Sequence, residues 1–327
     1  MKFDRIPGVD KPVSRLVQGC MMLHPNKAET DLPLLDAVLE SGIDTFDSSR
    51  VYGGGACDKA FGHWVRSRGV RDEIVLMDKG CHPLKKQTRV TPDGLTEDLH
   101  VCLDHLGFDE IDIFAFHRDD PDVPVGELVD RIDEHIRAGL VHAWGVSNWT
   151  FDRFRAALDY AKDSGKTPPA LVSPQYSLVA CAESPWPGCL TITGDDHAEE
   201  RAWYAEHGTP VFNWSSLARG FLSGRYTREN LAPPAEGAEE TDKDAPLLRR
   251  CFATEENFAR LERARQMAKR RGVSVPQIAL AWLLCGELNC FPLIACWKPE
   301  EAADNAQAVE IELSPEEVRW LESGEEG

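Results

Sequence analysis

Residues 42–55, with the sequence GIDTFDSSRVYGGG, carry the pattern that decides how this chain folds. Gly42 follows a helix-periodic segment, and the DTFD that comes next predicts a short buried strand. A glycine-rich loop then begins at Asp47 and carries Tyr52. This order of helix, strand and polar loop predicts one unit of a repeating α/β architecture with polar, ionisable side chains in its loop.

The same order of apolar run, loop and amphipathic helix recurs along the chain. The predicted strands are residues 16–19, 44–47, 73–79, 111–117, 141–147, 171–177, 209–215 and 292–296. Start signals for the intervening helices are Thr30, Thr91-Pro92, Thr150 and the capping box of Ser274 with Gln277. Strands that alternate with helices in this way are parallel and joined by right-handed crossovers.

Eight such units in a chain of 327 residues predict a closed (β/α)8 TIM barrel. We expect a single domain over residues 1–327, with an N-terminal β-hairpin and extra C-terminal helices. The alternative is an open, doubly wound sheet, which normally carries a glycine fingerprint after its first strand. At that position the chain reads GCMMLHP, which does not match the fingerprint.

The charge and cysteine content disfavour several classes of protein. Lys and Arg number 36 against 55 Asp and Glu, a formal net charge of −19, which argues against a nucleic-acid partner or an anionic membrane surface. No apolar run reaches the roughly 18 residues of a transmembrane helix, and the N-terminal residues are not those of a signal peptide. The ten cysteines include no CxxC pair, which favours reduced thiols. We therefore expect a cytoplasmic protein, while its oligomeric state stays open.

Four ionisable side chains are predicted to lie at one end of this barrel. Asp47, Lys79 and His117 each end a predicted strand, and Tyr52 follows Asp47 in its loop. Taken singly, each has an ordinary structural interpretation as a turn cap, a solvated lysine, a structural donor or rim packing. Because the carboxyl ends of barrel strands form the usual active-site face, their joint placement favours a functional site.

The chemistry of these four groups suits proton donation to a carbonyl. A phenol has a pKa near 10, and a neighbouring ammonium favours the phenolate and so lowers that pKa. We expect Asp47 to hold Lys79 charged and in position, and His117 to hydrogen-bond the substrate oxygen. This arrangement predicts Tyr52 as a general acid beside a carbonyl group.

At these residues the sequence resembles the aldo-keto reductase family, and the resemblance covers nearly the whole chain. GIDTFDSSRVYGGG is similar to the family's second-strand motif, in which the Asp and the Tyr are catalytic. MDKG contains the matching Lys, and FAFHRDD contains the matching His. The resemblance therefore implies a barrel fold, the catalytic residues Asp47, Tyr52, Lys79 and His117, and no required metal.

The resemblance also implies a bound nicotinamide cofactor. GVSN at 145–148 and SPQYS at 173–177 are similar to the family motifs whose Ser, Asn and Gln hold the nicotinamide carboxamide. NWSSLARGFLSGRY at 213–226 is similar to the motif in which a Tyr stacks on the nicotinamide ring, and here a Trp keeps that aromatic face. The cofactor-binding residues implied by these motifs are Ser147, Asn148, Gln175, Trp214, Ser215 and Leu217.

The segment LIACWKPEEAADN at 293–305 resembles the part of the family that binds the adenosine phosphate. Pro299 and Asn305 match well, and Lys298 adds positive charge at a helix N-terminus that can accept a phosphate oxygen. Glu301 stands where many members carry an Arg against the 2′-phosphate. A carboxylate there repels a 2′-phosphate and can instead accept from a ribose hydroxyl, although it can equally be a solvated helix residue. NADPH is the family expectation, and NADH is the other candidate.

These observations predict an NAD(P)(H)-dependent oxidoreductase that reduces an aldehyde or ketone, including a sugar-type carbonyl, to an alcohol. The partner is a small carbonyl or alcohol substrate, with His82, Trp149 and Trp186 as candidate walls of its pocket. A redox sensor or regulatory protein of the same fold, with little turnover, is the alternative. A metal-dependent hydrolase would leave Lys79 and Gln175 without a role. Because His24 and His82 fall in predicted loops, we expect no catalytic metal there.

Overall fold

A parallel sheet forms the centre of the computed structural model, which describes residues 1–234 and 239–325. Positions 235–238 and 326–327 of the predicted domain lie outside the described residues. The strands of this sheet are β3 (Val17–Gly19), β4 (Thr45–Asp47), β5 (Val75–Gly80), β6 (Ile111–Phe116), β7 (Val141–Ser147), β8 (Leu171–Ser173) and β9 (Leu293–Ile294). Their order in the sheet is β8-β7-β6-β5-β4-β3-β9, and each neighbouring pair is parallel.

The seventh predicted strand, residues 209–215, closes this sheet into a barrel without forming a continuous strand. Val211 bridges Val172 at one edge of the sheet and Cys290 near the other. The backbone N–H of Val172 donates to the carbonyl of Pro210 at 3.0 Å, and that of Phe291 donates to the carbonyl of Val211 at 2.7 Å. Within this segment only Val211 and Trp214 make bridges, and they are not consecutive, so the segment forms isolated bridges instead of a strand. The (β/α)8 barrel is confirmed, and the continuous strand at 209–215 is wrong.

Helices surround the sheet and connect its strands. In chain order they are α1 (Ala28–Glu40), α2 (Ala56–Arg68), α3 (Pro92–Leu106), α4 (Val125–Arg137), α5 (Phe151–Ser164), α6 (Ala198–Glu206), α7 (Ala245–Cys251), α8 (Glu255–Arg271), α9 (Val275–Cys285), α10 (Pro299–Ala306) and α11 (Pro315–Ser323). None of the helices in the described chain is both long and apolar enough to span a membrane.

The predicted helix starts are correct at most positions. The side chains of Thr91 and Thr150 cap α3 and α5, and Ser274 with Gln277 forms the capping box of α9. Thr30 is not the N-cap of α1, because a 3-10 turn over Pro25–Lys27 leads directly into that helix and starts it earlier. The Thr30 hydroxyl instead donates to the carbonyl of Lys27 at 3.0 Å.

The N-terminal hairpin covers one end of the barrel. Its strands β1 (Phe3–Asp4) and β2 (Val13–Ser14) are antiparallel, as predicted. Ile6, Val9 and Val13 are buried and pack in one cluster with inward side chains of the barrel such as Val75. Since this contact is at the amino ends of the strands, the opposite end of the barrel is left for the polar loops.

Candidate active site

Strand alternation decides which side chains reach the open end of the barrel. Val75 and Met77 of β5 and Ile113 of β6 pack in the inner cluster, whereas the intervening Leu76 packs against the helices. Side chains two residues apart point the same way along a strand. The same parity carries Lys79 of β5, His117 after β6 and Asp47 of β4 inward. The three adjacent strands therefore bring three of the predicted catalytic side chains together.

The ammonium of Lys79 is buried between two acceptors. Its Nζ contacts the Oδ1 of Asp47 and lies 2.7 Å from the backbone carbonyl of Ser48. Both ionised side chains are about 3% exposed. Burial alone would lower the pKa of Lys79, but Asp47 and Tyr52 outweigh it and raise that pKa above its usual value. Burial raises the pKa of Asp47, and Lys79 opposes that rise. The predicted Asp47–Lys79 pairing is present as a buried contact.

Tyr52 lies beside this pair because the glycines after it turn the chain sharply. Gly53, Gly54 and Gly55 have φ angles of 56°, 64° and 91°, which residues with a side chain rarely adopt. A Cβ on Gly55 would also lie 2.4 Å from the ring of His105. The half-buried phenol ring stands with its centroid 5.3 Å from Lys79 Nζ and 5.7 Å from the centroid of the His117 ring.

The pKa of Tyr52 differs from the sequence-based expectation. Burial raises it to about 12, although the charge of Lys79 acts in the expected, lowering direction. The carboxylate of Asp47 also raises it. The free-energy cost of removing water from the phenolate exceeds its attraction to the Lys79 ammonium, since that ammonium is already paired with Asp47. Tyr52 is therefore a neutral phenol at neutral pH and not a phenolate.

His117 is a neutral imidazole held by Ser49. Its Nδ1 lies 2.9 Å from the Ser49 hydroxyl oxygen, and that hydroxyl lies 3.1 Å from the carbonyl of Lys79. Burial, followed by the charges of Lys79 and Arg118, lowers the pKa of His117 well below its usual value. Both contacts form at once when Nδ1–H donates to Ser49 and Ser49 donates to the Lys79 carbonyl. The importance of Ser49 was missed from sequence, although it lies inside the opening motif.

A second buried layer behind Lys79 was also missed. Asp58 accepts from the Ser48 hydroxyl, and Asp78 accepts from the backbone N–H of Lys79 at 2.7 Å. One ligand atom each from Asp58, Asp78 and Cys102 lie within 4.8 Å of one another, and all three residues are buried. Burial raises the pKa of Asp58 to about 6, and burial together with Asp58 raises that of Asp78 well above its usual value. Both carboxyl groups therefore hold their protons to a higher pH than an exposed aspartate does.

The three histidines considered for a metal site do not come together as one group. His82 lies at the barrel mouth, with its ring centroid 5.0 Å from that of His117. His24 instead caps the turn before α1 by accepting from the backbone N–H of Asn26 at 3.1 Å. His82 therefore fits its prediction as a pocket wall, while the absence of a catalytic metal stays a prediction.

The side chains predicted to hold the nicotinamide carboxamide lie at the carboxyl ends of β7 and β8. Asn148 donates to the Ser147 hydroxyl at 2.9 Å, and Ser147 donates to the carbonyl of Ser173 at 2.8 Å. Asn148 has a φ of 60°, a backbone strain typical of functional positions. Gln175 is fully buried and donates to Ser177 at 3.1 Å. An amide and hydroxyl donor set of this kind is chemically suited to a carboxamide.

A long connection after β8 orients two of these side chains, and sequence reasoning did not foresee it. The backbone N–H of Leu190 donates to Asn148 Oδ1 at 3.0 Å, and the Thr191 hydroxyl donates to Gln175 Oε1 at 2.6 Å. The Gln175 amide nitrogen is thereby left as the donating end of that side chain. Trp186 of the same connection is 39% exposed and lies 6.1 Å from Trp214, ring centroid to ring centroid.

The loop that starts at Trp214 is strained. Ser215, Ala218 and Arg219 have φ angles of 52°, 49° and 52°, and Leu217 lies between the first two. Such left-handed turns point backbone N–H groups into a concavity that suits an anion. The Trp214 ring is partly exposed, and its Nε1 has no partner within the described residues. These features fit a loop that meets the nicotinamide ring and the diphosphate.

The predicted adenosine-end residues lie at the start of α10. Lys298 is its exposed N-cap residue, and Asn305 is buried and donates to Cys296 Sγ at 3.5 Å. Glu301 is exposed, and its Oε2 accepts from the backbone N–H of Trp297 at 2.7 Å. The side chain of Trp297 is 63% exposed. Glu301 thus satisfies one N–H at the helix start that a phosphate would otherwise use.

A small cavity of about 150 Å³ lies outside this mouth, between β8, α5 and α6. Its wall contains Asn148 and the buried hydroxyl of Ser173, which has no partner in the described chain. A space of this size with one unpaired hydroxyl suits ordered water. It contains none of the four predicted catalytic residues. Trp149 lines this cavity and is buried, so it packs in the interior instead of forming a wall of the barrel mouth.

A closed parallel barrel with polar side chains at the carboxyl ends of its strands defines a class of barrel proteins whose loops carry the chemistry. Comparison with known proteins identifies the family within that class. The model of the aldo/keto reductase family matches residues 15–326, and the chain belongs to this family. Membership supports, in general terms, carbonyl reduction with a nicotinamide cofactor.

Individual relatives agree with this assignment. The chain is 26% identical over 316 residues to the aldo-keto reductase yakc [NADP(+)] of Schizosaccharomyces pombe, covering 93% of this chain and 86% of that protein. It is 25% identical over 320 residues to a probable voltage-gated potassium channel subunit beta of Oryza sativa, covering 95% and 92%. The solved structure of the thermostable aldo-keto reductase Tm1743 superposes with a TM-score of 0.72 at 20% identity over 99% of both chains, which shows the fold.

Proposed function

We propose that this protein is an NAD(P)(H)-dependent oxidoreductase that reduces an aldehyde or ketone to an alcohol. The observation that carries the proposal is the protonated phenol of Tyr52 beside the buried contact of Lys79 with Asp47. A proton donor and a fixed positive charge at one barrel mouth are what the reduction of a carbonyl group requires. Sugar-type carbonyl compounds remain among the candidate substrates.

The proposed reaction forms a C–H bond at the carbonyl carbon and an O–H bond at its oxygen, while the C=O π bond is lost. A bound nicotinamide cofactor would supply the hydride. Tyr52 supplies the proton to the oxygen, and Lys79 stabilises the phenolate that remains. Asp47 keeps Lys79 oriented. His117 donates to the substrate oxygen through Nε2–H, and in that tautomer the Ser49 hydroxyl rotates from the Lys79 carbonyl to donate to Nδ1.

Three groups of residues would hold the cofactor. Ser147, Asn148 and Gln175 would bind the carboxamide, and Trp214 would lie against the nicotinamide ring. The loop containing Ser215 and Leu217 would meet the diphosphate. Lys298, Glu301 and Asn305 would lie at the adenosine end. The family likeness favours NADPH, whereas the carboxylate of Glu301 at the start of α10 disfavours a 2′-phosphate and makes NADH the other candidate.

The first experiment is a fluorescence titration of the protein with NADPH and with NADH, followed by an aldehyde panel with wild type and Tyr52→Phe. We expect cofactor binding by both proteins and a loss of about 10²- to 10⁴-fold in kcat for Tyr52→Phe, because its phenyl ring carries no proton to donate. The absence of binding by either cofactor would reject the function. An unchanged rate of reduction by Tyr52→Phe would reject Tyr52 as the proton donor but would leave the reductase function standing.

A second candidate function is a redox sensor or regulatory subunit with little turnover. The observation that favours it is the similarity to the rice protein named a probable potassium channel subunit beta. Both candidates bind cofactor, so turnover separates them. The sensor would be favoured if the protein binds cofactor at micromolar concentration and oxidises the bound reduced cofactor only once. It would then show no steady-state rate on any aldehyde.

A further inference from the structure

Arg118 lies at the barrel mouth, directly after His117. Its Nη1 donates to the backbone carbonyl of His117 at 2.8 Å, and its own carbonyl accepts from the indole of Trp149 at 3.1 Å. The first contact holds the guanidinium and the second holds the backbone of Arg118, whose side chain is half-buried. Burial is the largest cause of the pKa shifts at Tyr52, His82 and His117, and the charge of Arg118 lowers the pKa of all three. The hydrogen bond from Nη1 to the His117 carbonyl places the guanidinium beside His117 at the barrel mouth, and its effect on these three pKa values agrees with that position.

This guanidinium has no anionic partner in the described chain. No carboxylate there comes within 4.0 Å of its nitrogens, although the protein has 55 acidic residues. The nearest acid in sequence, Asp119, is engaged by Arg153 at 3.2 Å. Glu183, in the connection after β8, is paired with Arg250. Within residues 1–234 and 239–325, Nε and Nη2 of Arg118 have no hydrogen-bond partner.

We propose that Arg118 is a specificity-determining residue that binds a carboxylate of the substrate, so that the enzyme acts on carbonyl compounds bearing a carboxylate group. This inference rests on the proposed reductase function. The planar guanidinium presents paired N–H groups that match both oxygens of a carboxylate. With Nη1 bonded to the His117 carbonyl, Nε and Nη2 are the two donors left without a partner in the described chain. In a protein of net charge −19, a local positive group is needed to hold an anion there.

A purely structural role for Arg118 makes a different prediction. If Arg118 served only to hold the His117 carbonyl, its replacement would weaken the reduction of every substrate to the same degree. If it binds a carboxylate, the loss depends on the charge of the substrate. The test therefore compares an anionic aldehyde with a neutral aldehyde of the same length.

The probes are 4-oxobutanoate and its methyl ester, assayed with wild type, Arg118→Gln and Arg118→Lys. Arg155→Gln, an exposed change on α5 that removes the same charge, is the control. We expect Arg118→Gln to lose about 10- to 100-fold in kcat/KM for 4-oxobutanoate, mostly in KM, and to keep its rate on the ester. Arg118→Lys should restore part of the loss because it keeps the charge without the planar pair of donors. Arg155→Gln should behave as wild type.

A binding measurement gives a readout that does not depend on turnover. Succinate, which has no carbonyl to reduce, should compete with 4-oxobutanoate and bind wild type by calorimetry, with about 10-fold weaker binding to Arg118→Gln. Equal losses on both aldehydes, or equal succinate binding by both proteins, would overturn the proposal. A phosphorylated aldehyde preferred over 4-oxobutanoate would also overturn it in favour of a phosphate. Reduction of 4-oxobutanoate that is unchanged in Arg118→Gln rejects this inference alone, whereas no reduction of any aldehyde rejects the proposed function itself.

Discussion

At the residue scale, Ser49 is a side chain whose role cannot be predicted from its residue type. It is fully buried and touches both the Nδ1 of His117, at 2.9 Å, and the backbone of Lys79, at 3.1 Å. A buried ring nitrogen without a partner costs about 1–3 kcal/mol. Ser49 is therefore a positioning residue for His117, and it need not touch the substrate.

We expect Ser49→Ala to lower kcat/KM for aldehydes by about tenfold, because the His117 ring loses the contact that orients it. Cofactor binding should be unchanged, since Ser49 touches none of the predicted cofactor residues. Steady-state kinetics over pH and a fluorescence titration check the two statements. Ser49→Cys, which keeps a weak donor and acceptor, should fall between. A wild-type pH profile and rate in Ser49→Ala would contradict this role.

At the scale of elements, β5 is packed against α2 and α3 across a buried acidic layer. Asp78 of β5 and Asp58 of α2 each carry one oxygen without a partner in the described chain. Their pKa values are raised in the folded protein, mainly by burial, to about 6 for Asp58. Over the pH range from about 4 to 6 the folded state therefore binds more protons than the unfolded state, so this pair reduces stability as pH rises.

We expect Asp78→Asn to raise the free energy of unfolding at pH 8 by about 1–3 kcal/mol, and by less at pH 5. The amide removes one buried charge and keeps the oxygen that accepts from Lys79. Denaturant unfolding of wild type and variant at both pH values is the measurement. Asp112→Asn is the matched control, because Asp112 is equally buried but paired with Lys11 at 2.9 Å and Arg71 at 2.8 Å, and should lose stability at both pH values.

Two other results would lead to different conclusions about Asp58 and Asp78. A variant less stable than wild type at pH 8 would contradict the raised pKa of Asp78. A fall in the melting temperature of wild type on adding EDTA would indicate instead that Asp58, Asp78 and Cys102 hold a divalent cation. Neither outcome depends on the assay of a substrate, so the test stands apart from the proposed function.

At the scale of the whole molecule, the barrel separates stability from function at its two ends. The hairpin packs Ile6, Val9 and Val13 against the amino ends of the strands. The ionisable groups lie at the carboxyl ends. In barrels of this kind, residues at the amino ends of the strands usually contribute to stability, and the loops at the carboxyl ends usually carry the function. That residues 1–327 form one domain stays a prediction.

We expect Ile6→Ala to reduce the free energy of unfolding by about 2–4 kcal/mol, because Ile6 is 2% exposed and its truncation leaves a cavity. The values of kcat and KM at 25 °C should stay near wild type, since the change is at the closed end. Thermal unfolding and steady-state kinetics test the two halves of the prediction. A large loss of activity with unchanged stability would show that the two ends are coupled.

Much of the fold follows from local sequence signals. Glycine and threonine at helix ends and short apolar runs predict the elements, since caps and periodicity depend on neighbouring residues. The strand at 209–215 and the cap at Thr30 were wrong, because how many residues of a segment pair with its neighbours and the entry through a 3-10 turn depend on packing. Asp47, Tyr52, Lys79 and His117 were foreseen because each ends a strand or follows one.

The sequence by itself determined the barrel, the family and the four side chains at its mouth, since these depend on the order of elements and on strand parity. Tertiary structure decided the rest. The pKa of Tyr52 is about 12 because burial outweighs the ammonium, and residue spacing does not encode burial. Ser49 reaches His117 across 68 residues, and Thr191 reaches Gln175 from 16 residues further along the connection after β8. Arg118 is left without an acidic partner in the described chain only because folding directs the nearby carboxylates elsewhere.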